Sequence, residues 1–393
     1  MNRKQLGVLI VLVVVLGGIG LVLRRNQVAS WKEGNTDMGN KLLSDLPVND
    51  ITRISIARGT NRLELVKKED VWRVQERHDY PANYSQIRDF ILKARGLKAV
   101  QSEKVGPSQL SALQLVPGQG TNAALVVEFK DQNAKPIRTL FVGKHHLKAS
   151  SRPSDTGEGE MDWPDGRYVT TGGSVVAVVA DPLDSVEPRP EVWLNKDFIR
   201  VEKAKSIEVD FPTGTNSWKL TRESESGEWK LADAKPGEAL DASKAASVSY
   251  PFNSLSFSDV IPGPEPRASG TNLPVVAKID TFDHFQYVLS VGAKTNEDYR
   301  VTVAVTAEIP KEREKAKDEK EADKARLDKE FKESSQKLED RLKQEQGYEN
   351  WTYLISSWML DPLLKERSQL MIDKKAEPGA EEKVSEKAAS SPP

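Results

Sequence analysis

Chemistry at neutral pH needs side chains that exchange protons, hold metals or attack electrophiles, and this chain has few of them. Its four histidines are His78, His145, His146 and His284. None falls in an HExxH or HxH pattern, the spacings that set two imidazoles on one metal. His145 and His146 follow an apolar run read as a strand, where neighbours point to opposite faces; one is expected at the surface and the other packed. The absence of cysteine removes thiol nucleophiles, zinc–thiolate sites, disulfides and a lipidated N-terminal cysteine. The acidic segment SDTGEGEMDWPDG (154–166) brings together Asp155, Glu158, Glu160, Asp162 and Asp165. That is oxygen enough for calcium, but without the alternate-residue spacing of a calcium loop, and it reads as a solvated loop. The VGK at 142–144 lacks the upstream glycine of a phosphate loop, and there is no GxSxG elbow. The sequence assigns no catalytic, metal-binding or cofactor-binding residue and implies no cofactor. Eight tryptophans raise the idea of a carbohydrate platform. Trp72, Trp218 and Trp229 fall on alternating strand faces and read as core, which leaves Trp163 and Trp351 as candidate exposed contacts.

Bulk properties narrow the function classes. With 393 residues, 38% of them hydrophobic, the chain can build two domains of ordinary size. A formal charge of -2, from 57 basic against 59 acidic residues, gives no general pull toward nucleic acid or acidic lipid. The run LGVLIVLVVVLGGIGLVL (6–23) is uncharged and as a helix measures roughly 27 Å, the thickness of a bilayer's hydrocarbon. Arg24 and Arg25 stand between it and the small residues Val28 and Ser30, which argues for an uncleaved anchor and against a cleaved signal peptide. Positive charges on the two flanks nearly balance; the orientation chosen is amino terminus inside, bulk exported.

Two series of short alternating runs match each other. Ile54 and Ile56, Gly59-Thr60-Asn61, then Leu63 and Leu65 are followed at one constant offset by Val209 and Phe211, Gly214-Thr215-Asn216, then Trp218 and Leu220. VWRV (71–74) matches EWKL (228–231), placing Trp72 and Trp229 in equivalent third strands. An amphipathic helix follows each meander. Asn83 caps Ile87, Phe90, Ile91, Ala94 and Leu97 in the first; Asp241 caps Ala245, Val248, Phe252 and Leu255 in the second, shortened by Pro251. Leu125, Val127 and Phe129 with LFVGK (140–144) then match Val275, Ala277 and Ile279 with LSVGAK (289–294). RYV (167–169) matches YRV (299–301). Each series closes on a strand and a DPL turn, SVVAVVADPL (174–183) and TYLISSWMLDPL (352–363), because proline ends strand pairing.

The second series contains an insertion. Residues 311–346 hold 12 basic and 12 acidic residues without glycine or proline, which predicts a helix laced by pairs such as Asp328–Lys332, Glu333–Lys337 and Glu339–Lys343. Its apolar seam is only Leu327, Phe331, Leu338 and Leu342, too narrow for a core helix. The expectation is therefore a projecting arm roughly 50 Å long, dispensable for folding and available to a partner helix in coiled-coil fashion. The predicted fold is thus α+β: an anchor at 1–30, antiparallel sheet-plus-helix repeats at 42–190 and 191–372, the arm at 311–346, and a disordered tail at 373–393.

The ordered series of anchor, strand-turn-strand, a third strand led by Asp70 to Trp72 or Gly227 to Trp229, helix, LxVG strand and YV strand resembles the family catalogued as domain of unknown function 4340, over about residues 42–370. The resemblance implies a single-pass protein of the bacterial inner membrane with its bulk periplasmic. It also implies a non-enzymatic accessory or scaffold role beside ABC-type transporter subunits of the gliding-motility kind, and it brings no catalytic residues with it. The long charged arm departs from the simplest family pattern. The alternatives are an envelope glycan-binding module using Trp163 or Trp351, and, less favoured for want of a nucleophile motif, a hydrolase. The expected partners are membrane lipid and transporter subunits, not nucleic acid.

Overall fold

A computed structural model describes residues 39–120, 122–148, 163–263, 273–313 and 321–372. The expected anchor at 1–30 and tail at 373–393 lie outside the described residues. No helix among the described residues is long and apolar enough to cross a membrane. The fold is α+β, with two antiparallel sheets and few helices, and the chain divides into units Met1–Lys196 and Asp197–Pro393. Residues 191–196 belong with the first unit because Trp193 and Leu194 are buried there and the Asn83 and Asn195 backbone N–H groups donate to Trp193 and Pro81 carbonyls.

In the first unit, β1 (Arg53–Arg58), β2 (Asn61–Lys68), β3 (Val71–Val74) and β4 (Tyr80–Pro81) precede helix α1 (Tyr84–Gly96) and β5 (Ala99–Lys104). The short α2 (Pro107–Ala112), then β6 (Leu125–Lys130), β7 (Pro136–Lys148), β8 (Trp163–Thr170) and β9 (Val175–Val179) complete it, in the sheet order β4-β3-β2-β1-β6-β7-β8-β9-β5. In the second unit come β10 (Ala204–Asp210), β11 (Trp218–Thr221), β12 (Lys230–Leu231), α3 (Ala242–Ser249), β13 (Asp259–Pro262), β14 (Val275–Thr281) and β15 (Phe285–Thr295). They are followed by β16 (Asp298–Ala307), α4 (Glu321–Gln346), β17 (Trp351–Ser356) and α5 (Ser357–Leu360), and the sheet order is β12-β11-β10-β14-β15-β16-β17-β13. In both sheets the strand that follows the helix pairs with the last strand and forms an edge.

Packing follows from period. Ile54 and Ile56 of β1, Leu63 and Leu65 of β2, and Val127 and Phe129 of β6 share one buried sheet face. Helix α1, capped by the Asn83 side chain accepting from the Gln86 N–H, lays Ile87, Phe90, Ile91 and Ala94 on that face; Phe90 stacks on Phe129 with ring centroids 5.7 Å apart. Each such large side chain contributes about 1.5–3 kcal/mol by burial. In the second unit Asp241 caps α3 by accepting from Ser243 and Lys244 N–H groups, and Pro251 ends its regular turns after Ser249. Ala245, Val248 and Phe252 are buried there. Glycine is obligatory at position 143, where a Cβ would stand 2.3 Å from the Leu113 carbonyl oxygen.

Register corrects two expectations. Leu63 pairs with Ile56 across a two-residue turn whose Gly59 has φ 60°, whereas Trp218 pairs with Val209. Val209 therefore corresponds to Ile56, not Ile54. The constant offset fails in the first strand because the second unit lengthens this turn with a 3-10 segment at Gly214–Asn216, leaving Phe211 beyond β10. Trp229 is not a core residue: it precedes β12, is half-buried, and lies under the Arg222 guanidinium at 4.6 Å from the ring centroid. Trp72 is buried at 5% exposure.

Behind α3, Arg367 is buried with every donor used. Its Nη1 donates to both Asp233 carboxylate oxygens, at 3.0 and 2.9 Å, and its Nη2 to the Asp233 carbonyl. Nε and Nη2 also bond Glu238 at 3.1 and 2.8 Å. This arginine fastens the chain's last described segment to the β12–α3 connection.

Replacing Trp72 by alanine is expected to cost about 3–5 kcal/mol, as large-to-small core changes do. The same change at Trp229 should cost clearly less in a denaturant titration, and equal losses would contradict the burial difference. The Arg367 guanidinium and the Lys235 backbone N–H hold the Glu238 carboxyl down at about 2. A carboxyl depressed below its unfolded value of about 4.3 stabilises the fold above that pH and loses the contribution as pH falls toward 2. Melting curves of the parent and Glu238→Gln should therefore differ at pH 7 and converge near pH 2.

Candidate interaction site

Helix α4 has no counterpart among the described residues of the first unit, and its attachment depends on sequence period. From Leu327 the half-buried positions recur as Phe331, Ser335, Leu338 and Leu342, ending on the buried Glu345, the three- and four-residue spacing of a single helical stripe. The helix runs against β16. Before it, Arg313 reaches Asp328 with Nη2 at 2.8 Å. The helix begins at Glu321, so residues 311–313 are outside it and 314–320 lie outside the described residues. Its surface pairs are Arg326–Glu330 at 2.7 Å and Lys329–Glu333 at 3.8 Å; Asp328, expected to meet Lys332, bonds Arg313.

The C-terminal turns are embedded in the unit. Arg341 donates from Nε to Glu345 at 2.9 Å, from Nη1 to Asp283 at 2.8 Å, and from Nη2 to the Tyr287 hydroxyl at 2.7 Å and the Arg200 carbonyl at 3.1 Å. Its guanidinium carbon lies 4.4 Å from the centroid of the Phe285 ring. Tyr287, fully buried on the inner face of β15, donates its hydroxyl to Glu345 Oε2 at 2.7 Å. Burial pushes the Tyr287 hydroxyl far up, and the adjoining Glu345 carboxylate pushes it further. Burial alone would lower Arg341, but the hydrogen bond to Glu345 and the fields of Tyr287, Glu345 and Asp283 raise it. Both stay in one protonation state at any physiological pH. Next to this network, Phe198, Phe257, Tyr348 and Tyr353 form an aromatic cluster, with Phe198 and Tyr353 centroids 4.4 Å apart. The expected free-standing arm is thus corrected: the helix end supplies buried groups to the unit. The sequence signal missed was Glu345 and Arg341, read as two more charges in a charged run.

The histidine pair is also corrected. His145 and His146 are both half-buried, and each meets an aspartate: His145 Nε2 lies 2.7 Å from Asp184, and His146 Nδ1 lies 2.5 Å from Asp165. Of the acidic segment, 154–162 lies outside the described residues, as does the side chain of Trp163. Trp351 is half-buried at the start of β17. Arg167 is buried on the face shared with Val169 and secures the first DPL turn. Its Nε donates to the Gly143 carbonyl at 2.7 Å and its Nη1 to the Pro182 carbonyl at 3.1 Å and to Asp184 at 3.0 Å. Burial lowers the Arg167 pKa, and the neighbouring Arg58 lowers it further against the pull of Asp184. By strand register Tyr299 holds the corresponding position, and its hydroxyl donates to Asp361 of the second DPL at 3.2 Å.

No family model, no curated protein and no solved structure matches the chain.

Replacing Arg341 by alanine leaves Glu345 buried without its cation, at a cost of roughly 3 kcal/mol, the low end for breaking a buried pair; Arg341 itself is about a third exposed. Replacing Lys329, on the exposed part of the helix, should stay within about 0.5 kcal/mol. Equal effects in urea unfolding would show that the embedded end has no special part in stability.

Proposed function

We propose that this protein is a non-enzymatic, membrane-tethered accessory or scaffold subunit of an ABC-type transport system of the bacterial envelope. In this reading residues 6–23 anchor the chain in the inner membrane and both sheet units lie outside the cytoplasm. The two units descend from one module by duplication, and the second gained α4 as its contact arm. The observation that supports this best is the pairing of like with unlike. Apart from the edge strand β4, the sheets run through their strands in the same order, with a helix before the same edge strand, and α4 is inserted between β16 and β17 where the first unit has the short Thr170–Val175 turn. Its embedded end fixes its direction, and the turns from Arg326 to Glu333 present charges of both signs to solvent. A helix held in this way offers a partner a rigid, ordered surface, which lowers the entropy cost of docking. The resemblance to the domain of unknown function 4340 family supports the transporter setting.

Membrane fractionation with and without residues 1–30 checks the tether: the full chain should sediment with membranes, the shortened chain should not, and added protease should digest the bulk in spheroplasts. Crosslinking in native membranes should recover transporter subunits, and charge reversal at Arg326, Lys329 and Lys332 should deplete them at unchanged melting temperature. Full protection from protease, or an unchanged partner set, would overturn the reading.

A further inference from the structure

The second sheet bears, on the face away from its core, a line of side chains that the tether and the arm leave unused. Register sets Thr221 of β11 opposite Ser206 of β10, Ser206 opposite Asp280 of β14, Asp280 opposite Gln286 of β15, and Gln286 opposite Thr306 of β16. Five strands thus contribute one hydroxyl, amide or carboxylate each to a straight row, spanning four strand spacings or roughly 19 Å. The row is the floor of an open cleft of about 400 Å³. Asp280 accepts from the Ser206 hydroxyl at 2.6 Å and from the Gln286 amide at 2.8 Å; burial works against its charge, but these bonds and the nearby lysines keep its carboxyl below the ordinary value. The hydroxyls of Thr221 and Thr306 have no hydrogen-bond partner among the described residues.

At the β11 end of the row stands Arg222, fixed in place and within the field of the Glu225 carboxylate but not ion-paired with it. Its Nε donates to the Ala204 carbonyl and its Nη1 to the Glu225 carbonyl, each at 2.6 Å. Its guanidinium carbon lies 4.6 Å from the Trp229 ring centroid and 6.0 Å from that of Phe282. It forms no ion pair among the described residues, and burial lowers its pKa against the opposing pull of the Glu225 carboxylate. Lys205, exposed on the next strand, also lines the cleft without a salt bridge among the described residues, while Lys219 is engaged with Glu208 at 2.8 Å. A guanidinium immobilised by stacking and by main-chain bonds, with donors left over, is pre-organised for a carboxylate. The other acid of the cleft, Glu308, follows β16 at the opposite end.

The first unit shows what the same positions look like when closed. Val66, Arg53 and Lys130 stand where Thr221, Ser206 and Asp280 stand in the second. Lys130 is buried there, ion-paired with Glu128 at 2.9 Å and within 3.9 Å of Glu64. The row is charge-paired in one unit and open in the other.

We propose that the second unit's cleft binds a polyhydroxylated carboxylate, in chemical terms a sugar acid, with its carboxylate on Arg222 and Lys205 and its hydroxyls along the row from Thr221 to Thr306. The row alternates groups that donate, accept or do both, the pattern that vicinal hydroxyls complement. Such a ligand exists as a free hydroxy acid and as a residue of an acidic glycan, and the test separates the two.

Calorimetric titration of the full chain in detergent uses glucuronate as the free acid, glucose as its neutral counterpart, and a galacturonate hexamer as the glycan. Glucuronate should bind at least ~10-fold more tightly than glucose, because charge-assisted bonds to Arg222 are lost with the neutral sugar. Arg222→Gln and Lys205→Gln should each weaken glucuronate by ~10-fold. The lysine is exposed, so its replacement leaves the fold intact even if the arginine variant does not fold. A hexamer that binds at least as well as glucuronate assigns the site to a glycan, and one that fails where glucuronate binds assigns it to a free acid; either outcome upholds the cleft. No heat with glucuronate and the hexamer alike, equal affinity for glucose, or affinity unchanged in Lys205→Gln and Arg222→Gln would overturn it.

Discussion

The interaction on which the second unit depends most is the one Arg341 makes. One guanidinium joins the end of a long helix, the β14–β15 hairpin through Asp283, the core through Tyr287, and the chain's entry into the unit through the Arg200 carbonyl. A buried carboxylate such as Glu345 is expensive to desolvate and is tolerated only with partners of good geometry. Arg341 and Tyr287 are those partners, so helix and sheet define each other's register: sliding the helix by one turn would take Glu345 away from the Tyr287 hydroxyl. A narrow apolar seam would allow such sliding, and the charged network prevents it.

The same economy appears at the DPL turns. Arg167 in the first unit and Tyr299 in the second occupy one strand position and reach the same turn by different chemistry, the arginine through the Pro182 carbonyl and the tyrosine through the Asp361 carboxylate. Side chains at corresponding positions on the outer faces differ even in sign: Glu64, Glu128 and Lys130 of the first unit hold the strand positions that Lys219, Lys278 and Asp280 hold in the second. Backbone geometry and inner-face apolarity are common to both units, whereas the polar faces differ from one unit to the other.

What the sequence made legible follows the same division. Alternation at Ile54, Ile56, Leu63 and Leu65 and the three-four spacing from Ile87 to Ala94 identified strands and helix because burial of one face imposes those periods. The caps Asn83 and Asp241 were readable for the same local reason. Trp229 was misplaced because a tryptophan beside two alternating residues looks like core; only the fold shows that Arg222 covers it. The shift between Ile56 and Val209 leaves no trace in the sequence, because the Gly-Thr-Asn triplets match in letters while forming turns of different length. Arg341, Glu345 and the cross-strand row were illegible for a deeper reason: pairing across strands joins residues as distant in sequence as Ser206 and Asp280, and periodicity within one segment contains no trace of it.

The place of the edge strands bears on how the chain acquires its structure. In each unit the strand after the helix, β5 or β13, finds its partner only in the last strand, β9 or β17. Neighbouring hairpins can form as soon as their residues emerge from the ribosome, but these edges must wait until almost the whole unit exists. The second waits longer, since α4 stands between β16 and its closing partner. Late pairing of distant segments slows folding and prolongs the exposure of unpaired strand edges. A chain built in this order keeps an unpaired strand edge open to chaperones until its final strand is delivered.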